Sequence, residues 1–204
     1  MSSQDNVLII GLTGLPGSGK SSFANVAKDR GYSIIVMGDA VRFEVQRRGL
    51  KMSRLSVEEV KFSMREELGS DIIGRLTLDR VKYAVINNDT RILIDGFRGI
   101  EEVDLFKEAF PQIKLVAIHA PPEVRWARSI SRRRPDDPQS FSECKRKDLV
   151  EYRVGIGEVV ATSDYLIDRS LQGSRKVALK VYTEIINDIE IHTMDPEKQH
   201  LLEV

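Results

Sequence analysis

The chain has 204 residues, enough to bury a core without disulfide staples and few enough to favour one domain. Its 31 Lys and Arg cancel its 31 Asp and Glu, so no global field draws it to nucleic acid or an anionic membrane, and anion binding must be local. The single cysteine, Cys144, excludes an intramolecular disulfide framework and a multi-cysteine zinc site, and no stretch reaches the ~20 apolar residues of a transmembrane helix.

Residues 1–6 lack the basic region of a signal peptide, so a cytoplasmic location is expected. Residues 7–10 form a short apolar run, as in a strand covered on both faces of a parallel sheet. A glycine-rich loop follows, and then a helix over residues 20–30, with Phe23, Val26 and Ala27 at helical spacing and Gly31 placed to end it. Residues 32–37 read as a second strand and 39–48 as a helix ending near Gly49. Ser56 and Glu59 have capping-box spacing and open a helix whose apolar face is Val57, Val60, Met64 and Leu68. The next helix runs from about Ser70 to Asn87 and carries Ile72, Ile73, Leu76, Val81 and Val85.

Residues 91–95 are a third strand ending in Asp95, 101–109 a helix stopped by Pro111, and 113–118 a fourth strand. Pro121 and Pro122 suit the first turn of an arginine-rich helix. The run from Arg134 to Gln139 breaks the chain as a candidate mobile loop, and Ser140 with Glu143 restarts a helix. Residues 164–168 are a fifth strand and 174–191 a closing helix. The alternation predicts an α/β fold, with a five-stranded parallel sheet sandwiched by helices and ligands at the carboxyl ends of its strands.

Gly14-Leu15-Pro16-Gly17-Ser18-Gly19-Lys20-Ser21 fits the full GxxxxGK(S/T) pattern between a strand and a helix, the context a phosphate-binding loop requires. Its glycines let consecutive N–H groups approach phosphate oxygens, and the helix behind adds the positive end of its dipole. Lys20 is expected to neutralise the β- and γ-phosphates of ATP, the Ser21 hydroxyl to hold Mg²⁺, and Ser22 to lie near the α-phosphate. Asp95, followed by Gly96, falls at the same rim of the sheet and is the second expected Mg²⁺ ligand.

Arg125, Arg128, Arg132, Arg133 and Arg134 crowd one helix and its exit. Arg128 and Arg132 share a face and could close over a polyphosphate as part of a lid. Arg42 follows the second strand and could grip an acceptor phosphate; Asp39 reads as a helix cap or a general base. His119, His192 and His200 lack metal-ligand spacing, and Trp126 and Phe97 read as core residues.

The order of these motifs resembles the nucleoside-monophosphate kinases. Met37-Gly38-Asp39-Ala40-Val41-Arg42 resembles their TGDxxR segment, Asp95-Gly96-Phe97-Arg98 their DGFPR segment, and the Arg128 to Arg132 stretch the helix entering their lid. The whole chain more closely resembles UPF0200, an archaeal family of predicted nucleotide kinases sometimes likened to dephospho-CoA kinases. The residues that carry this are the phosphate loop, Asp95 to Val103, Arg134 to Pro138 and Gly155-Ile156-Gly157-Glu158-Val159. Met37 replaces the kinases' threonine, the proline of DGFPR is missing, and the Glu102 region stands where a glutamine would read adenine. Arg146 and Arg153 do not match the spacing of the arginines after the lid.

The resemblance implies one kinase-like domain over residues 1–192, with an acceptor-binding helical insertion at about 38–88, a lid loop at about 132–142 and a loosely held tail at 193–204. It implies an ATP-binding core with five parallel strands but supplies no established reaction; the leading expectation from the residues is an ATP- and Mg²⁺-dependent phosphotransferase acting on a nucleoside monophosphate or similar phosphorylated small molecule. Lys20, Arg98, Arg128 and Arg132 would stabilise the transferring phosphoryl group, and Asp39, Arg42 and Arg98 would hold the acceptor. A slow ATPase or nucleotide-dependent switch acting on a protein partner is the alternative; a nucleic-acid-processing ATPase is disfavoured by the neutral charge. A monomer or a homodimer fits equally.

Overall fold

The computed structural model describes residues 7–132, 137–170 and 175–194. In chain order the elements are β1 (Leu8–Thr13), α1 (Lys20–Asp29), β2 (Ser33–Val36), α2 (Gly38–Arg47), α3 (Arg54–Leu68), α4 (Ile72–Ile86) and β3 (Arg91–Phe97). They continue with α5 (Ile100–Ala109), β4 (Lys114–His119), α6 (Pro122–Arg132), α7 (Phe141–Val154), α8 (Ile156–Ala161), β5 (Tyr165–Asp168) and α9 (Arg175–Met194). The five strands are parallel and ordered β2-β3-β1-β4-β5.

Strand alternation divides the apolar residues between two cores. Ile9, Ile92 and Ile94 face one side, with Val41, Val60, Ile73, Val81 and Phe106 from the helices. Leu8, Ile10, Leu12 and Leu93 face the other, with Phe23, Ala27, Tyr182 and Ile186. Because both faces are covered, β1 is buried along its whole length, which explains its unbroken apolar run. The chain leaves β1 toward β2 on one side and later crosses to β4 on the other, so the crevice at the carboxyl end of β1 is a topological switch point.

Some boundaries differ from the expectation. Ser53 rather than Ser56 caps α3: its hydroxyl accepts the Ser56 N–H at 3.1 Å, so the helix opens two residues before Ser56. β3 does not end at Asp95. Its pairing with β1 slips by one residue there, Leu12 opposing Asp95 and Thr13 opposing Phe97, and the Thr13 hydroxyl donates to the Phe97 carbonyl at 2.9 Å. Asp39 does not cap α2, whose N-cap is Met37, but sits in the first turn, where its charge suits the helix dipole. Leu68 and Leu76 are substantially exposed rather than buried on their helices' apolar faces. Residues 133–136 of the expected lid loop lie outside the described residues, as does the tail from 195 onward. Thr193 and Met194 belong to α9.

Candidate active site

The phosphate loop leaves β1 and enters α1 through three glycines with positive φ. Two of them face backbone directly. A Cβ on Gly14 would stand 2.3 Å from the Ile118 carbonyl oxygen, and one on Gly17 would stand 2.2 Å from that of Arg125. The loop is thus pressed against β4 and α6 where only glycine fits. Lys20 folds back over it, donating to the Gly14 carbonyl at 2.5 Å and the Leu15 carbonyl at 3.4 Å. Burial, and then Arg98, bring the Lys20 ammonium down to about 8, although Asp95 and Glu151 oppose the shift.

A cleft above the loop is lined by Pro16, Gly17, Gly19, Lys20, Ser21 and Ser22 on one side. Asp95, Arg98, Arg128, Arg132, Lys147 and Glu151 line the other. The structure therefore brings together the lysine, the two hydroxyls, the β3 acid Asp95 and three of the sequence-predicted arginines. Gly14 and Leu15 border a separate hollow behind the loop, and the buried Ser18 hydroxyl has no hydrogen-bond partner among the described residues.

Asp95 Oδ1 is buried and likewise lacks a hydrogen-bond partner among the described residues. A buried carboxylate oxygen without a donor is costly unless a cation meets it. Together with the Ser21 hydroxyl it makes a hard-oxygen donor set that fits Mg²⁺. The glycine cradle and Lys20 fit a polyphosphate.

The arginines divide by what stands behind them. Arg125, 1% exposed, is structural: it makes a two-pronged pair with Asp148 at 2.9 and 2.8 Å and donates to the carbonyls of Ala120 and Pro16. Trp126 donates to the same carboxylate. Arg132 is held by Asp137. Arg128 reaches only the Gly17 and Ser18 carbonyls, at 3.5 Å, and has no carboxylate partner among the described residues. Burial, and then neighbouring Arg169, lower its pKa. Arg169, unforeseen from the sequence, lies over the ring of Tyr182, whose hydroxyl is against Gly19.

A second cleft opens beside the first, between α2, α3, α4 and α7. Met37, Val41, Val57, Ile73 and Val150 give it apolar walls, and Arg42, Arg54, Lys61, Arg65 and Arg146 a cationic rim. Arg98, Lys147 and Glu151 line both clefts. Glu151, which motif reading missed, is buried and pairs with Arg98 at 2.6 Å and Lys61 at 3.4 Å. Burial pushes its carboxyl up, but Arg98 and then Lys61 hold it at about 2. Burial opposes the charge on Arg98 too, yet Glu151 and Asp95 raise its pKa.

Arg42 enters the second cleft held by Asp39 at 2.5 Å, while Asp39 itself borders an adjoining groove with Phe43. Arg146 lines the cleft; Arg153 lines neither. Both oxygens of Glu102 are occupied: Oε2 accepts from the Arg98 and Gly99 amides, and Oε1 pairs with Arg65 at 2.6 Å. Cys144 is a buried free thiol, Phe97 packs edge-on against Phe106, and the His192 ring meets the Asp188 carbonyl.

A glycine loop, a lysine over it and an acid from the neighbouring strand at a sheet's switch point define a P-loop nucleotide-binding domain. Residues 13–145 match the family model described as an AAA domain. The chain belongs to the UPF0200 family. It is 40% identical to a UPF0200 protein of Thermococcus onnurineus over 162 residues, 78% of this chain and 87% of that one. Among solved structures it shares its fold with dephospho-CoA kinase from Campylobacter jejuni, with a TM-score of 0.54 and 16% identity over 89% of this chain and 96% of that one. Shikimate kinase from Acinetobacter baumannii is similarly related, with a TM-score of 0.53 and 15% identity over 90% and 96%. No helix among the described residues is long and apolar enough to cross a membrane.

Proposed function

We propose that this protein transfers the γ-phosphoryl group of ATP to a small phosphorylated acceptor, a nucleoside monophosphate being the class that fits best. One observation carries the reading: the phosphate-loop cleft and the apolar-walled cleft are contiguous, and Arg98, Lys147 and Glu151 form their shared wall. Donor and acceptor phosphates would meet there, and phosphoryl transfer depends chiefly on such positioning and on charge neutralisation.

In this reading the loop amides and Lys20 grip the β- and γ-phosphates, and Arg98, Arg128 and Arg132 surround the transferring group. Arg42 takes the acceptor phosphate, and Glu151 keeps Arg98 aimed at the junction. Ser21 and Asp95 would hold Mg²⁺, which when bound neutralises charge on the β- and γ-phosphates. Helices α2 to α4 supply the acceptor cleft, as neighbouring helices commonly do for small ligands.

The test is ATP turnover with Mg²⁺ across all nucleoside monophosphates and dephospho-CoA, read as phosphorylated acceptor. Product from one acceptor well above the water-only rate is the expected outcome, and Lys20→Ala should remove it. Slow phosphate release indifferent to every acceptor would refute transfer and favour an ATPase or switch.

A further inference from the structure

Among the described residues the acceptor cleft contains one carboxylate that the surrounding ion pairs pass over. Helix α3 turns Arg54, Glu58, Lys61 and Arg65 toward the cleft, at the three- and four-residue spacing of a single face. Arg54 precedes Glu58 by four residues and Lys61 follows it by three, so either could pair with it along the helix. Neither does. Arg54 crosses to Glu143 at 3.2 Å, Lys61 to Glu151 at 3.4 Å, and Arg65 to Glu102 at 2.6 Å. Glu58 is left half-buried, with no hydrogen bond or ion pair among the described residues.

An ionised carboxylate only accepts hydrogen bonds, through two oxygens side by side. Where it is partly desolvated and unmatched, it favours a ligand bringing N–H donors. The apolar walls suit the faces of a flat ring, the cationic rim suits a phosphate, and Glu58 suits the ring's donor edge.

We infer that Glu58 reads the acceptor's base and that the acceptor is a guanine nucleoside monophosphate; this rests on the acceptor-cleft reading above. Guanine alone among the common bases sets a ring N–H directly beside an exocyclic amine, two parallel donors for two carboxylate oxygens. Adenine and cytosine place a bare ring nitrogen beside the amine, and uracil flanks its N–H with carbonyls, so each turns a lone pair toward the carboxylate. Glu102 cannot take this role, because its oxygens already serve two amides and Arg65.

Calorimetric titration of the full chain with GMP, IMP, AMP, CMP and UMP, without donor, tests the inference. IMP retains the ring N–H and lacks the amine. GMP should bind at least about tenfold tighter than the others, and Glu58→Gln should weaken GMP by about 10–100-fold and erase the preference, the range for one charged hydrogen-bonded contact. Glu59→Gln, at an exposed neighbouring position, is the control and should retain it. GMP binding no better than UMP, or a preference that survives Glu58→Gln, overturns the inference. Glu58-dependent GMP binding with no phosphorylated product from any acceptor would refute transfer and leave the base assignment standing. Product from AMP at a rate untouched by Glu58→Gln would do the reverse.

Discussion

Replacing Asp148 with Ala should cost stability and nucleotide affinity together, because one buried carboxylate underlies both. Asp148 accepts two hydrogen bonds from Arg125 and one from Trp126. Its removal leaves the Arg125 guanidinium, 1% exposed, without a counter-charge, and breaking such a pair from one side costs about 3–5 kcal/mol. At about 2–4 °C per kcal/mol for a chain of this size, the melting temperature should fall by about 6–20 °C. Arg125 also donates to the Pro16 carbonyl, and its own carbonyl lies against Gly17, so a displaced Arg125 should loosen the phosphate loop. Thermal melts with and without ATP and Mg²⁺ give both readouts: a lower baseline temperature and a smaller upward shift on adding nucleotide. A loss below about 2 °C with an unchanged nucleotide shift would show that the pair neither supports the core nor shapes the loop.

Lys20 predicts a pH dependence. Its pKa is about 8 in the folded chain against 10.5 unfolded, so between those values only the unfolded chain keeps the proton, and stability rises with pH across that window. The same loss of charge weakens the grip on phosphate, so ATP affinity should fall above about pH 8, and Lys20→Arg should flatten the fall; an affinity independent of pH up to about 9.5 would contradict the assignment. Gly17→Ala should abolish nucleotide binding, measured by fluorescence titration, since the new Cβ meets the Arg125 carbonyl at 2.2 Å and φ is +80°. Asp95→Asn should raise the Mg²⁺ concentration for half-maximal ATP turnover by at least about tenfold while the fold persists, as seen by circular dichroism; an unchanged Mg²⁺ titration would remove Asp95 from the metal site.

The features legible in the sequence were those written in local spacing. The phosphate loop, the strand runs and the apolar periodicity of the helices each depend on neighbours a few residues away, and the elements appear where these patterns stand, with Leu68 and Leu76 as exceptions on their helix faces. Asp95 was legible as a rim acid, though the slip that carries β3 on to Phe97 depends on pairing with Thr13 in another strand. Arg125 could not be separated from Arg128 by spacing. Its burial is decided by Asp148, 23 residues further on. Glu151 and Lys61 carried no motif at all, and their meeting depends on α3 and α7 facing each other across the second cleft. Ser56 and Glu59 have capping-box spacing, yet it is the Ser53 hydroxyl that accepts the Ser56 N–H and caps α3.

A chain of zero net charge builds an anion site here by placing acids beside cations. Glu151 pairs with Arg98, Asp137 with Arg132 and Asp39 with Arg42, so each of these cations at a cleft carries its own counter-charge. The fields of such pairs decay faster with distance than those of bare charges, which restricts attraction to ligands already in the cleft and spares the protein a general affinity for polyanions. Arg128 breaks the pattern. No carboxylate among the described residues supports it, and burial and Arg169 both work against its charge. An anion delivered to the cleft would relieve it, and it already reaches the carbonyls of Gly17 and Ser18, within the loop that would hold one. The backed arginines are therefore pre-aimed positioners, whereas Arg128 is the group whose environment a bound triphosphate would change most.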